Sequence, residues 1–355
     1  MECIMQNDSS TCAIILAAGE GKRMKSNHPK VLSNVLFKPM LRWVTDAVKD
    51  GGIREVCVVT GYKHQEVEEY LQIVGRETPE LHLQTTLQTE RKGTAHAVMM
   101  AEAFLRAHSG GHVLILNGDA PFLSSEIIQA SFALHREQNN AVTVIAATVD
   151  NPSGYGRIVR ENTTGQLCAI VEEKDADSKT KAIHEVNSGA YWFSVDKLLS
   201  VLHKISNDNA QGEYYLPDAL KLLLKEGYPA NAFVSDDSNA ILGANDCLQL
   251  GELNTIARTK ILDELMANGT EIPCRDGVII GPDVTIGAHV TILPSTILRG
   301  TTKVGNGCTV GPNTLLTNAV LSDQITASFF SGEHCTVTTS PPPFTTVNPQ
   351  NSAKS

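Results

Sequence analysis

Short apolar runs alternate with amphipathic segments from Thr11 to about Val234. The apolar runs that predict strands are Ala13–Leu16, Val56–Thr60, His112–Leu116, Val142–Ala147, Leu167–Val171 and Ala190–Phe193. Residues at helical spacing between them are Leu41, Val44 and Val48, then Val98, Ala101 and Leu105, then Ile127, Ala130 and Leu134. This alternation predicts an α/β domain with a mostly parallel sheet covered by helices. Because such sheets bind ligands beyond the carboxyl ends of their strands, a site is expected in the loops that follow strands.

A second pattern begins past Pro273, where aliphatic residues recur at a spacing of six and glycine follows four of them. The aliphatic positions are Ile280, Ile286, Ile292, Leu298, Val304, Val310 and Leu316. Such a hexapeptide repeat indicates a short left-handed parallel β-helix, whose coils bury a continuous core only by stacking. The repeat is lost after about Ser322, and the proline-rich, polar sequence beyond it predicts a loose terminus.

An apolar stripe between the two patterns predicts a helix that joins two domains. Its members are Leu250, Leu253, Ala257, Ile261 and Leu265. The pattern therefore divides the chain into an α/β domain over residues 11–245, a linker helix over 246–272, a β-helix over 273–325 and a loose tail over 326–355. Asn245 lies just before this stripe, and its position alone predicts a helix N-cap.

Composition and charge argue against several classes of protein, including nucleic-acid-binding and membrane-spanning ones. The 355 residues are 42% apolar and 19% charged, as in an ordinary globular protein with a large core. A net charge of −10 and a pI near 5.6 argue against a nucleic-acid partner, so an anionic substrate needs local positive charge or a metal ion. No apolar stretch of about 18 residues predicts a membrane span, and residues 1–11 lack the features of a signal peptide. The eight scattered cysteines, without a Cys-x-x-Cys motif, favour reduced thiols in the cytoplasm.

The stretch from Ile14 to Leu32 is suited to a polyphosphate. Gly19 and Gly21 follow the first strand, and their backbone N–H groups can approach phosphate oxygens without an intervening side chain. Arg23 and Lys30 lie close behind in the sequence and can neutralise charge. The stretch completes neither a Walker A loop nor a dinucleotide-binding fingerprint. Taken as a bare Gly-x-Gly, it is also compatible with a tight turn between a strand and a helix.

Two later loops carry further candidate residues. Gly93 and Thr94 precede a predicted helix whose first turn leaves N–H donors free, although a threonine there is also an ordinary N-cap. Asp119 follows an apolar strand within Asn117-Gly118-Asp119, a sequence that also forms turns. Beside a phosphate loop, Mg²⁺ ligation is the favoured role of Asp119, because a buried unpaired carboxylate is costly and Mg²⁺ needs few protein oxygens.

Taken together, the motifs resemble the uridyltransferase half of the bacterial bifunctional N-acetylglucosamine-1-phosphate uridyltransferase/glucosamine-1-phosphate acetyltransferase family, over roughly residues 11–270. The motifs are L-A-A-G-x-G-x-R-M with P-K-V-L, L-Q-x-E-x-x-G-T-x-H-A, G-D-x-P, G-Y-G-R-I, I-V-E-x-K-D-A, an Asn-x-Gly and N-A-Q-G-E-Y-Y. Asn117 departs from the family, many members of which carry a tyrosine there. The resemblance implies Mg²⁺-dependent transfer of a uridylyl group from UTP to N-acetylglucosamine 1-phosphate, giving UDP-N-acetylglucosamine and pyrophosphate.

The resemblance also implies roles for individual residues. Nucleotide contacts fall on Leu16, Ala17, Ala18 and Gly19, with Gln88, Gly93 and Thr94 at the pyrimidine base, and Asn117 and Gly118 are further substrate-binding residues. The implied catalytic residues are Arg23, Lys30 and Asp119, the Mg²⁺ ligands are Asp119 and Asn245, and the amino-sugar contacts are Gly156, Glu172 and Asn187. Trimer formation is the family's usual way of covering the open edges of the β-helix, so a homotrimer is expected.

Acetyl transfer is not expected, because the family's motifs for that site are missing and only His289 and His334 stand in the repeat region. Three alternatives stay open. One is another sugar-1-phosphate nucleotidyltransferase with a different base or sugar. Another is a non-catalytic assembly subunit like those related to the eukaryotic initiation-factor exchange complex, against which the intact Arg23, Lys30 and Asp119 speak. The last is a full bifunctional enzyme.

Overall fold

The computed structural model describes residues 11–348, which form two units. The first unit comprises residues 11–33 and 39–247, and the second comprises residues 34–38 and 248–348. The hydrophobic pattern placed one boundary at residue 245 and gave no sign that the short segment 34–38 groups with the second unit. Within the described range, no helix is both long enough and apolar enough to cross a membrane.

Strands and helices alternate from residue 11 to residue 267, a range that covers the first unit and includes β2 and most of α9 from the second. Up to residue 247 the strands are β1 (Thr11–Ala17), β2 (Asn34–Val35), β3 (Lys38–Pro39), β4 (Glu55–Thr60), β5 (His82–Leu87), β6 (His112–Asn117), β7 (Val142–Thr148), β8 (Arg157–Arg160), β9 (Leu167–Val171), β10 (Glu185–Ser194) and β11 (Ala230–Ser235). The helices are α1 (Met40–Asp50), α2 (His64–Glu77), α3 (Thr94–Met100), α4 (Glu102–Ala107), α5 (Ser125–Glu137), α6 (Ser178–Lys181), α7 (Val195–Leu202), α8 (Pro217–Lys225) and α9 (Cys247–Ala267). The six predicted strands are all present.

The strand order creates a switch point beside β1. Among the described residues, nine strands form one sheet in the order β11-β7-β10-β6-β1-β4-β5, with β8 and β9 joined to it through β10. Strands β1, β4, β5 and β6 run parallel, whereas β10 is antiparallel to both β6 and β7. The chain moves from β1 outward to β4 and β5 and then crosses back to β6 on the other side of β1. Ligands bind at such a reversal in open α/β sheets.

Each central strand contributes to two apolar cores. Ile14 and Ile115 belong to the core that α3, α4, α7 and α8 cover, whereas Ile15 and Leu114 belong to the core that α1, α2 and α5 cover. Successive side chains of a strand point to opposite faces of the sheet, and both faces are covered here. The strands therefore appear in the sequence as continuous apolar runs rather than as alternating ones.

Two predicted helices differ in extent. The helix expected through Val98, Ala101 and Leu105 is interrupted at Ala101 (φ −93°, ψ 14°), which separates α3 from α4. The linker helix expected over residues 246–272 is α9, which ends at Ala267. Leu262 and Ile272 then pack into the core of the second unit.

The second unit is a parallel β-helix with three stacked sheets. Its strands are β12 (Ile279–Ile280), β13 (Thr285–Ile286), β14 (Thr291–Ile292), β15 (Thr296–Arg299), β16 (Lys303–Val304), β17 (Thr309–Val310), β18 (Thr314–Thr317), β19 (Val320–Leu321), β20 (Thr326–Ala327), β21 (Ser331–Glu333), β22 (Thr336–Val337) and β23 (Thr346–Val347). The sheets have the orders β12-β15-β18-β21-β23, β13-β16-β19-β22 and β14-β17-β20. The repeated aliphatic residues lie in the core that these sheets enclose.

The prediction of a loose tail from residue 326 is wrong as far as residue 348, because the coils continue to Val347. Ile279 pairs with Ile297 and Ile297 with Leu315, so these coils take 18 residues each. Leu315 pairs with Ser331 and Ser331 with Thr346, so the later coils take 16 and 15. The shortened coils remove the spacing of six without ending the β-helix. The rest of the predicted tail, residues 349–355, lies outside the described range.

The residues at the core positions also change. Gly332 pairs with Leu316, at a place where the repeat leads one to expect an aliphatic residue. A Cβ on Gly332 would lie 2.9 Å from the Phe330 ring and 3.0 Å from Cys335 Sγ. The nearly fully buried Phe330 occupies the space that an aliphatic side chain would have filled. The later coils therefore lose their sequence signature while keeping a filled core.

Candidate active site

A cleft of about 330 Å³ lies where β1, β5 and β6 end. The residues that line it and that the sequence had singled out are Leu16, Ala18, Gly19, Lys30, Gln88, Gly93, Thr94, Asn117 and Asp119. Sequence reasoning gave no role to its other lining residues, Val31, Arg91, Ala97 and Glu213. Val31, Ala97 and Glu213 are fixed positions of the quoted motifs, so a signal for them was present in the sequence, whereas Arg91 occupies a variable position.

Strand register places the two halves of the cleft side by side. Leu16 near the end of β1 pairs with Asn117 at the end of β6. The backbone N–H of Gly118 then donates to the Leu16 carbonyl at 2.9 Å. A Cβ on Gly118 would lie 3.2 Å from that carbonyl oxygen, which leaves little room for a side chain. Ala17 and Gly118 are not among the lining residues, and Ala17 is buried.

Lys30 joins the two residues expected to bind metal. Its ammonium group donates to Asn245 Oδ1 at 3.1 Å and forms an ion pair with Asp119 Oδ2. The Lys30 and Asp119 side chains are only 13% and 20% exposed, so each charge needs the other. Asn245 lies two residues before α9 and uses its side chain on Lys30, which the N-cap interpretation did not anticipate.

The same arrangement can be tested for its fit to Mg²⁺. Within residues 11–348 no three His, Cys, Asp or Glu side chains gather into a metal-binding group. Mg²⁺ needs fewer, since it prefers oxygen ligands and takes several of them from phosphate and water. Asp119 and Asn245 supply one carboxylate and one amide oxygen that already converge on a single positive charge, the Lys30 ammonium. These residues therefore fit a phosphate-assisted Mg²⁺ site.

The phosphate-loop stretch bends tightly around Lys30. Gly21 has φ +63°, and a Cβ there would lie 2.7 Å from the Lys30 Cβ. Arg23 lies on the following short 3-10 turn, where it is exposed and is not among the residues that line the cleft. Of the two basic residues predicted to contact phosphate, only Lys30 is at the cleft in this structure.

Gly93 and Thr94 connect the N-terminus of α3 to residues 214–216, which are distant in the sequence. Gly93 has φ +107° and ψ 177°, a conformation that favours glycine, and a Cβ would lie 2.5 Å from the Tyr214 carbonyl oxygen. Thr94 Oγ1 accepts from the Leu216 backbone N–H at 3.0 Å. Thr94 is thus not the N-cap of its own helix, because Gly93 holds that position and the threonine hydroxyl holds the 214–216 segment.

The three residues expected at the amino sugar lie together. The backbone N–H of Asn187 donates to the Gly156 carbonyl at 2.8 Å, and a Cβ on Gly156 would lie 3.1 Å from Glu172 Oε1. Asn187 Oδ1 accepts from the Gly189 N–H at 2.9 Å, and a Cβ on Gly189 would lie 2.4 Å from Asn117 Nδ2. This group therefore reaches the cleft through Gly189 and Asn117, although its own members are not cleft-lining residues.

Among these sugar-side residues, the Glu172 carboxyl group has a raised pKa. Burial raises the pKa of its carboxyl group, and the nearby carboxylates of Asp175 and Asp218 raise it further. Lys221 and Arg157 act in the opposite direction with smaller effects on the pKa. A carboxyl group that keeps its proton more readily can donate a hydrogen bond as well as accept one.

Sequence reasoning missed Arg157, which is only 1% exposed. Its guanidinium donates to Glu173 Oε2 at 2.6 Å and also to the carbonyl of Tyr155. Glu173 Oε2 in turn accepts from the Gly154 backbone N–H at 3.3 Å. Among residues 11–348, Arg157 Nε is the only buried side-chain nitrogen or oxygen without a partner. Arg157 thus fixes the Gly154–Gly156 turn beside the predicted sugar contacts.

Comparisons with known proteins identify the families to which the two parts of the chain are similar. The nucleotidyl transferase family matches residues 12–253, and the bacterial transferase hexapeptide family, described as six repeats, matches residues 283–318. A solved structure titled as a putative glucose-1-phosphate thymidylyltransferase from Bacillus anthracis, in complex with a sucrose, covers 70% of this chain and 95% of its own. Its TM-score is 0.58 at 21% sequence identity, so it supports the fold alone.

Several similar proteins carry the name bifunctional protein GlmU. The one from Caldanaerobacter subterraneus subsp. tengcongensis is 42% identical over 88% of this chain and 65% of its own length. The one from Acetivibrio thermocellus is 42% identical over 92% of this chain and 67% of its own. The one from Clostridium botulinum strain Langeland is 38% identical over 96% and 72%. The chain thus spans about two thirds of the length of these relatives. It belongs to the nucleotidyl transferase family, and within that family to the GlmU proteins, and is a nucleotidyltransferase.

Proposed function

We propose that this protein transfers a uridylyl group from UTP to N-acetylglucosamine 1-phosphate in a Mg²⁺-dependent reaction that releases pyrophosphate. The observation that carries the proposal is the convergence of Lys30, Asp119 and Asn245 at the edge of a cleft built on the switch point between β1 and β6. The similarity to GlmU proteins supports uridylyl transfer to a sugar phosphate as the reaction.

The proposed mechanism is an in-line displacement. An oxygen of the sugar phosphate attacks the α-phosphorus of UTP, and the bond from that phosphorus to the bridging oxygen of pyrophosphate breaks. A phosphate monoester is already ionised at neutral pH, so the attacking oxygen needs no general base. Catalysis then consists of positioning the two substrates and neutralising their charge.

We assign each residue the role that the family resemblance implies. Leu16, Ala18 and Gly19, which line the cleft, hold the nucleotide together with the buried Ala17. Asn117 and Gly118 add further substrate contacts, and Gln88, Gly93 and Thr94 contact the base. Lys30 neutralises phosphate charge, and we assign the same role to the exposed Arg23. Asp119 and Asn245 would hold Mg²⁺, which when bound supplies positive charge to the phosphates. Gly156, Glu172 and Asn187 receive the amino sugar.

The proposal extends to assembly and location. The β-helix leaves sheet edges that a homotrimer would cover, and the hexapeptide repeats support that arrangement. A cytoplasmic location is consistent with UTP as substrate. Acetyl transfer to glucosamine 1-phosphate is not expected from the coils described here, where His289 and His334 are both exposed. An acetyl-CoA consumption assay with glucosamine 1-phosphate tests this last point.

The main experiment is a pyrophosphate-release panel with purified protein. UTP, CTP, ATP, GTP and dTTP are each combined with N-acetylglucosamine 1-phosphate, glucosamine 1-phosphate and glucose 1-phosphate, with Mg²⁺ and with excess chelator. We expect turnover only when Mg²⁺ is present. Among the substrate pairs, UTP with N-acetylglucosamine 1-phosphate should have the highest kcat/KM. A higher kcat/KM for another pair would assign the chain to another sugar-1-phosphate nucleotidyltransferase activity. Absence of turnover with every pair would favour a non-catalytic assembly role.

A further inference from the structure

The side chain of Gln88 has a fixed orientation in the cleft. Gln88 follows β5, is only 5% exposed and lines the cleft. Its Nε2 donates to the Gly93 carbonyl oxygen at 3.1 Å. A carbonyl can only accept, so the amide atom beside it must be the NH₂ group and not the oxygen.

His96 fixes the same amide a second time. Nδ1 of His96, on α3, lies 3.0 Å from Gln88 Nε2. Because the amide nitrogen is a donor, Nδ1 must accept, and the imidazole proton is then on Nε2. Both N–H groups of Gln88 are therefore engaged by protein acceptors. The hydrogen-bonding capacity that Gln88 retains for a ligand is that of its carboxamide oxygen, an acceptor.

Backbone hydrogen bonds tie the segment that carries His96 to the segment around Tyr214. The Ala95 backbone N–H donates to the Tyr214 carbonyl at 2.9 Å, and the Tyr214 N–H donates to the Lys92 carbonyl at 2.7 Å. The rings of His96 and Tyr214 lie 6.4 Å apart between centroids. Together with the close approach of Gly93 to Tyr214, these contacts keep the imidazole at a set position relative to Gln88.

We propose that His96 is a positioning residue that holds the Gln88 carboxamide with its oxygen toward the ligand, making the cleft selective for uracil over cytosine. The proposal rests on the uridylyl transfer proposed above. Uracil presents an N3–H donor, whereas cytosine presents a lone pair at N3. An acceptor held against an acceptor leaves both unsatisfied, which costs more than the hydrogen bond is worth. Rotating the amide to suit cytosine would break its bonds to both Gly93 and His96.

The experiment compares His96→Phe with His96→Asn in the full chain. Phenylalanine keeps a ring but cannot accept, whereas asparagine places Oδ1 near the position of Nδ1. The readout is the ratio of kcat/KM for UTP to kcat/KM for CTP. We expect the ratio to fall about tenfold in His96→Phe, the size of one hydrogen bond, and to stay within about threefold of wild type in His96→Asn. Thermal unfolding of each variant checks that the fold is kept.

A double-mutant cycle shows whether His96 acts through Gln88. Gln88→Met should lower the UTP to CTP ratio by itself, and adding His96→Phe should then change it no further. An unchanged ratio in His96→Phe, or an equal effect of His96→Phe with and without Gln88, would overturn the inference. If the wild-type protein does not use UTP at all, the proposed function fails, an outcome distinct from UTP turnover with an unchanged ratio.

Discussion

Lys30 Nζ lies 3.1 Å from Asn245 Oδ1, although 215 residues separate the two in the chain. The same ammonium group pairs with Asp119 at the end of β6. One lysine on a short turn after the glycine loop thus joins the two oxygen-bearing residues at the edge of the cleft. The following predictions start from this contact and move outward.

Asp119→Asn should lower kcat by at least about 100-fold, because it removes a preorganised charge from the reaction site. The protein should remain folded, since asparagine is almost the same size as aspartate. Asp283→Asn is a matched control, because Asp283 forms a Lys–Asp pair with Lys38 at 2.7 Å in the second unit. Steady-state pyrophosphate release measures both variants. Normal Mg²⁺-dependent turnover in Asp119→Asn would contradict the assignment.

Arg157→Met should raise KM for the sugar phosphate by about tenfold or more, with little change in KM for UTP, because small displacements of positioning groups are costly. The reason is that Arg157 fixes the Gly154–Gly156 turn through Glu173 and the Tyr155 carbonyl. Arg157→Lys should recover part of the loss, since it keeps the charge.

Arg160→Met is the control for this effect. Arg160 also lies on β8 and forms a two-pronged pair with Glu185, at 2.8 and 2.6 Å. A general weakening of the β8 region would raise KM in both arginine variants alike. Equal changes in the two, or a parallel rise in KM for both substrates, would show that Arg157 has no particular role in positioning the sugar.

Glu172→Gln should change how stability depends on pH. The folded protein raises the pKa of Glu172 above its ordinary value of about 4.5, so the unfolded chain gives up this proton more readily. Stability contributed by the protonated group is therefore lost as pH rises from about 4.5 through the raised pKa. Glutamine is always neutral, so the free energy of unfolding of Glu172→Gln should rise relative to wild type across that window. Urea unfolding at several pH values measures it, and parallel curves would refute the prediction.

Ala327→Asp tests whether the later coils are folded in solution. Ala327 is fully buried in the β-helix core, whereas the preceding residue, Thr326, is exposed. A charge at position 327 should cost roughly 3 kcal/mol or more, and Thr326→Asp should stay within about 0.5 kcal/mol of wild type. Chemical unfolding followed by circular dichroism compares the two. Equal stability of both variants would mean that this segment is loose.

Much of the fold follows from the sequence, because local pattern and burial coincide there. The strands that contain Ile14 and Ile115 are apolar on both faces. In the early coils an aliphatic residue recurs every six positions from Ile280 to Leu316, and these residues pack together in the core of the β-helix. The later coils were missed because their shorter turns changed the spacing and because Phe330 allows Gly332 to stand where an aliphatic residue was expected.

For the candidate site, the sequence by itself determined which residue types are available. Glycines, lysines and an aspartate in the loops that follow strands indicate phosphate and metal binding, even before it is known which of them are in contact. Only the tertiary structure decided which of them meet, because those contacts depend on strand order and on segments far apart in the chain. It brought Lys30 to Asp119 and Asn245, left Arg23 exposed, and placed His96 against Gln88. It also buried Arg157 beside the sugar-side turn, because the fold of β8 against β9 and β10 encloses a side chain to which the sequence analysis gave no role of its own.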